Sequence, residues 1–383
     1  MTDKSKQTKL VQAEIGVDKT FGAVSPPLYL SSTYRFEQFD QQGQYDYGRG
    51  GNPNRDALGA AIADLEGGAG GIVTSSGMAA IDLVTNLFKA DDLIIAPHDC
   101  YGGTHRLLTH RAEQGRLRVI FVDQNDPKAL DAAIAQQPKL IMIETPSNPL
   151  MRLVDIAAIC KAAKKVGAQV SVDNTFLSPA RQLPLDLGAD FVIHSTTKYL
   201  NGHSDVIGGC LVAKTAEHAE QLAWWANCTG VTGAPFDSYL TLRGMRTLFA
   251  RMDIAERNTQ AIAKFLHKHK AVEAVYYPGL RSDPGHKLMK RQQSGPGAML
   301  SFTLKGGRDA ARVFLENIEV FQMAESLGGV ESLICHPATM THRGMADEAR
   351  EIAGIGDNLV RLSVGIEAED DLIAALKNIL VQI

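Results

Sequence analysis

The run AQVSVDNTFLSPARQLPLDLGADFVIHSTTKYLNGHSDVIGGCLVA, residues 168–213, decides the fold. It holds three apolar stretches of strand length, AQVSVDN, ADFVIHS and IGGCLVA, separated by turn residues. Upstream, GGIVTSS, DDLIIAP, LRVIFVD and KLIMIETP repeat the pattern, with helix-like segments such as 127–136 and 155–166 among them. Continuous apolar strands alternating with amphipathic helices build a mainly parallel sheet covered on both faces, an α/β architecture. Ligands of such sheets bind beyond the carboxyl ends of the strands. Ser76, Tyr101, Asn148, Asp173 and Lys198 each lie just after an apolar run and so fall on that edge.

Outside this block the texture changes. Residues 1–55 are polar and aromatic with little periodicity, as in SSTYRFEQFDQQGQYDYGRGGNPNRD, which carries into the next segment. A long irregular segment is unusual inside a compact domain, so this one is expected to reach onto a neighbouring subunit. Residues 56–250 form the large domain. Residues 251–383 open with the helical stretch RMDIAERNTQAIAKFLHKHK and continue with short strands, VEAVYYP and AMLSFTL, as a smaller α+β domain.

The 383 residues are 45% hydrophobic and 21% charged with a net charge of −4, a balance that points to neither nucleic acid nor a membrane surface. The start, MTDKSKQTKL, lacks the apolar core of a secretory signal, and no apolar run approaches the roughly 18 residues of a membrane span. Five cysteines, at 100, 160, 210, 228 and 335, show no CxxC pairing and read as reduced thiols of a cytoplasmic protein.

The chemistry centres on Lys198, in HSTTKYLNGHSDVIGG, flanked by Ser195, Thr196 and Thr197. A lysine able to form a Schiff base, hydroxyls able to hold a phosphate and an acid, Asp173, ending a buried strand are what pyridoxal 5'-phosphate requires. For proton shuttling, the Lys198 pKa must fall from about 10.4 toward roughly 7–8. Asp173 is either a partner for the pyridinium nitrogen or a cap before Thr175. In SSGMAAI, Gly77 and Met78 either offer main-chain N–H groups to a phosphate or form an ordinary strand-to-helix turn. The GxGxxG and GxxxxGK[ST] patterns are absent from that turn, so a dinucleotide site or P-loop is not supported. Tyr101 either stacks on the cofactor ring or packs; Arg361 is either a carboxylate fork or a surface charge. His98, Cys100 and His105, and His267 with His269, lack structural-zinc spacing, so no metal is expected.

With VSPPLYLSSTY, YDYGRGGNPNRD, LEGGAG, SSGMAAI, APHDCYGGTHRL, ETPSNPL, VDNTFLSP, HSTTKYLNGHSDVIGG, LAWWANCTGVTGAPFDSYLTLRGMRTL, GAMLSFTL and AESLGGVESLICHPATMTH in this order, the chain resembles the Cys/Met-metabolism family of fold-type I pyridoxal-phosphate enzymes over essentially its full length. The resemblance implies an aspartate aminotransferase-like transferase fold. It implies that Lys198 is the cofactor-linked lysine, Asp173 the ring-nitrogen partner and Tyr101 the stacking tyrosine and acid–base group. Gly77, Met78, Ser195 and Thr197 match phosphate-binding positions, while Tyr47 and Arg49 match residues that reach the phosphate from the neighbouring subunit. Asn148 matches the asparagine near the ring hydroxyl, and Ser326 and Arg361 match positions that hold the substrate and the lysine. Glu325, in AESLGG, matches an acid typical of the members that act at Cγ, and Arg106 is a further candidate substrate contact. The implied reaction is γ-replacement on O-succinylhomoserine, or another O-acylhomoserine, by cysteine to give cystathionine, within methionine biosynthesis and transsulfuration. The alternative is γ-elimination or a related C–S cleavage. A homo-oligomer built as a dimer of dimers is implied with it. One departure from the family pattern is Gly50, where a second arginine would follow Arg49.

Overall fold

The computed structural model of the chain describes residues 4–345, 348, 350 and 353–383. The seven apolar runs quoted above are the seven strands of its larger sheet: β1 Gly70–Thr74, β2 Leu93–Pro97, β3 Arg118–Val122, β4 Leu140–Glu144, β5 Gln169–Asp173, β6 Phe191–His194 and β7 Gly209–Ala213. Their order across the sheet is β1-β7-β6-β5-β4-β2-β3. Strands β2 to β6 pair in parallel; β7 runs against both its neighbours, β1 and β6. Successive side chains of a strand point to opposite faces, and here both faces are dry. Leu140 and Met142 enter one core while Ile141 and Ile143 enter another; Phe191 and Ile193 are likewise opposed to Val192. That double burial is why the runs are continuously apolar and do not alternate.

Several helices of the large domain begin at side-chain caps. Asn52, Ser76, Asp126 and Asp155 each accept from main-chain N–H groups in the first turn of the helix that follows. Such caps satisfy donors that the helix itself leaves unpaired.

A second sheet contains β8 Val272–Tyr276, β9 Met299–Leu304, β10 Gln322–Met323, β11 Leu333–Cys335 and β12 Leu359–Ser363, in the order β10-β11-β12-β9-β8. All its pairings are antiparallel except β10 with β11. The long helix Leu248–Lys268 serves both cores: Leu248, Met252 and Ala255 pack beneath the large sheet, and Ile262, Ala263 and Leu266 pack under the second. Arg361 lies in β12 and is 3% exposed, which removes the surface-charge reading of that residue.

Between residues 12 and 52 the described chain forms turns and isolated bridges. Asn54 fastens this arm to the large sheet's first helix: its Oδ1 accepts from Tyr29 N (2.8 Å) and its Nδ2 donates to the Pro27 carbonyl (2.8 Å). Beyond that staple, Phe21, Leu30 and Phe39 stand in solvent, Phe39 completely. Among the described residues no helix is long and apolar enough to cross a membrane.

Candidate active site

The carboxyl ends of β1, β2, β4, β5 and β6 bring Ser76, Tyr101, Asn148, Asp173 and Lys198 to one edge of the sheet. Across from them, the second sheet contributes Ser326 from the turn after β10 and Arg361 from β12. One hydrogen-bonded line joins the two halves. Lys198 Nζ donates to Ser326 Oγ (2.8 Å), Arg361 Nη2 donates to the Ser326 carbonyl (2.9 Å), and Arg361 Nη1 donates to Asn148 Oδ1 (2.8 Å). Ser326 holds φ at 99°, a region L-residues rarely occupy, at a cost on the order of 1–3 kcal/mol that these contacts offset.

Burial and the nearby Arg361 guanidinium lower the Lys198 pKa to about 8, with Glu325 acting in the opposite direction. The cation loses hydration when enclosed and is repelled by a second cation, so the neutral amine is favoured. Asp173 is driven the other way. Removal from water raises its pKa, while hydrogen bonds from Thr175 and the field of His194 restrain the rise. Its Oδ1 does accept from Thr175 N (3.0 Å), so the turn contact and the placement at the cleft floor coexist. Behind it, His194 Nε2 lies 2.6 Å from Glu66 Oε1, both side chains buried.

The helix Gly77–Thr85 starts directly after β1, and Ser76 Oγ accepts from Ala79 N. That leaves the Gly77 and Met78 N–H groups without an intrahelical partner. A Cβ on Gly77 would sit 2.8 Å from Ser195 Cβ, so only glycine lets the two turns close into one cradle. Thr197 Oγ1 donates to the Gly208 carbonyl (3.2 Å) and accepts from Gly208 N (3.0 Å), fastening the loop after Lys198. Tyr101 is 44% exposed at the start of helix Gly102–Glu113, its ring folded over Gly103 beside Met78. The donor set fits pyridoxal phosphate: an amine of lowered pKa, a carboxylate at a strand end, a helix-start phosphate cradle and an exposed aromatic ring.

Other sequence candidates lie further out. Glu325 and Arg106 are exposed. Tyr47 and Arg49 sit on the arm, the guanidinium 5.6 Å from the Tyr47 ring centroid and its Nε bonded to Asn227 Oδ1 (3.0 Å). Among the described residues no hydrogen bond joins either to the line through Lys198. His98 lies 3.8 Å from Asp99, and His105 stacks on Phe121. Sequence reasoning passed over Glu144, the last residue of β4, whose Oε2 accepts from Tyr101 N (2.8 Å). Its signal was the one that singled out Asp173: an acid ending an otherwise apolar buried strand.

The family model for Cys/Met metabolism PLP-dependent enzymes matches residues 7–381. Cystathionine γ-synthase of Escherichia coli K12 is 56% identical over 98% of this chain and 97% of its own. Cystathionine β-lyase of Lactococcus lactis subsp. cremoris MG1363 is 47% identical over 98% and 99%. Among solved structures, cystathionine γ-synthase from Xanthomonas oryzae pv. oryzae in complex with cystathionine superposes with a TM-score of 0.98 at 55% identity, covering 100% of this chain and 99% of that one.

Proposed function

The chain belongs to the family of Cys/Met metabolism PLP-dependent enzymes, and from that premise we propose that it performs γ-replacement, joining an O-acylhomoserine such as O-succinylhomoserine to cysteine to give cystathionine. In the overall reaction the Cγ–O bond of the ester breaks, a Cγ–S bond forms, and the thiol proton balances the released carboxylate. Pyridoxal phosphate, when bound, supplies the electron sink for charge left at the substrate Cα. Gly77, Met78, Ser195 and Thr197 hold its phosphate, with Tyr47 and Arg49 reaching in from a second subunit. Asp173 is the carboxylate for its ring nitrogen. Asn148 has its Oδ1 committed to Arg361, which leaves the amide N–H for the ring hydroxyl.

Lys198 takes the Cα proton on Nζ and carries it onward; with a pKa near 8, about one in ten is the free amine at pH 7, far more than for a solvated lysine. Tyr101 accepts the proton of the incoming thiol. Arg361, positioned by Ser326 and Asn148, binds the amino-acid carboxylate, and Glu325 and Arg106 face the side-chain end of the substrate. The line Lys198–Ser326–Arg361–Asn148 carries this reading, because it sets a readily deprotonated amine beside a carboxylate fork. The protein works in the cytoplasm as a dimer of dimers; its five free cysteines and the uncovered apolar arm support both statements.

A second reading, C–S cleavage of cystathionine, is favoured by Gly50, which removes one guanidinium that would otherwise serve a distal succinyl carboxylate and leaves Arg106 as the substitute contact. Product analysis by mass spectrometry with O-succinylhomoserine and cysteine separates the two. Cystathionine in excess over α-ketobutyrate is the expected result. Its absence overturns succinyl-dependent synthesis and turns attention to the acetyl and phosphoryl esters and to lyase activity.

A further inference from the structure

Glu144 and Asp173 are register partners on adjacent parallel strands β4 and β5, so their side chains leave the same face of the sheet side by side. Glu144 is 8% exposed. It also links two loops that carry candidate site residues: its carboxylate receives the main-chain N–H of Tyr101 at 2.8 Å and that of Asn148. We propose that Glu144 is the positioning residue of this site, a neutral acid that seats the Tyr101 and Asn148 loops while leaving the single negative charge of the pair on Asp173. The proposal rests on the cleft being a pyridoxal-phosphate site and is independent of which ester is used.

The charges around the pair favour that division. Asp173 and Asp99 both face Glu144, and Cys100 lies beside it in the turn after β2. His98 and Arg152 engage Asp99. Asp173 instead has the Thr175 hydrogen bonds and the field of His194. Burial first, then the charge on Asp173, moves the Glu144 carboxyl well above the usual range, with the two N–H donors offsetting only part. Two adjacent enclosed carboxylates cannot both ionise cheaply, and the one with the better partners keeps the charge. A neutral Glu144 still accepts both N–H bonds through a carboxyl oxygen, so neither loop contact depends on its ionisation.

The test uses the pyridoxal-phosphate holoenzyme, its Glu144→Gln and Glu144→Ala variants, and three readouts: the infrared carbonyl stretch, cofactor affinity, and the pH titration of cofactor absorbance. The wild type is expected to show a protonated-carboxyl band between pH 6 and 8 that Glu144→Gln lacks. Glu144→Gln, which keeps an acceptor oxygen, should titrate with the wild-type midpoint. Glu144→Ala should bind the cofactor roughly tenfold or more weaker, because two main-chain donors lose their acceptor, with Glu144→Gln recovering most of that loss. A band absent from the wild type, or persisting in Glu144→Gln, overturns the neutral state. A Glu144→Ala protein that binds and titrates as the wild type overturns the positioning role. If Glu144→Ala fails to fold, a loss of affinity in Glu144→Gln equal to that of a Tyr101→Ala control overturns it instead. Since none of these readouts needs turnover, a wrong assignment of the ester would leave them intact.

Discussion

Lys198 holds its proton less tightly than a solvated lysine because the cleft strips its water and Arg361 repels it. Stopped-flow absorbance should therefore show the apoprotein taking up pyridoxal phosphate faster as pH rises, with a plateau above about 8. The direction follows from the free amine being the reactive form, which is lost as pH falls below that value. Lys198→Ala should abolish turnover in the cystathionine assay. Gly50 supplies a second residue-scale prediction. A Cβ there would lie 3.5 Å from the Tyr47 carbonyl, an ordinary contact, so an arginine is sterically admissible. Gly50→Arg should raise kcat/KM for O-succinylhomoserine relative to O-acetylhomoserine by about two- to fivefold, the range of an exposed ion pair; steady-state kinetics with both esters checks it. At this scale the sequence was informative wherever a polar residue ended an apolar strand. It was silent on Ser326's unusual φ and on which atoms Arg361 contacts, because both sit where the second sheet meets loops of the large one.

The turns at the ends of β1 and β6 act as one element, since Gly77 abuts Ser195 with no room for a side chain. Gly77→Ala should force those turns apart and weaken cofactor binding by about tenfold or more, a loss of a few positioned main-chain hydrogen bonds; fluorescence titration of the apoprotein measures it. The inner strands of the large sheet were legible because they are buried on both faces, and several flanking helices because their caps are local. By contrast, β12 was not read as a strand. Its sequence LVRLS contains a charge, and only the Ser326 carbonyl and the Asn148 side-chain oxygen that accept from Arg361 make that charge tolerable in a buried strand.

For the whole molecule, the arm is the feature that the rest of the chain leaves uncovered. It exposes Phe21, Leu30 and Phe39, and it carries Tyr47 and Arg49 without a hydrogen bond to the Lys198 line. If the site is shared between subunits, mixing inactive Lys198→Ala and Arg49→Ala proteins through dissociation and reassembly should restore roughly a quarter of wild-type activity. Half of the reassembled dimers are hybrids, and each hybrid has one intact site. A mixture that stays inactive while sedimentation shows hybrid formation would rule the shared site out. The sequence by itself determined the α/β class, the run of parallel strands and the placement of Asp173 and Lys198 at one edge of the sheet, because periodicity and strand-end polarity are local properties of the chain. Only the tertiary structure decided that Arg361 is buried and bonded to Asn148 and Ser326, that Lys198 is a weakened base and that Glu144 stands beside Asp173. Those facts arise from residues dozens to hundreds of positions apart, and the low dielectric that sets their protonation exists only once both sheets have closed over them.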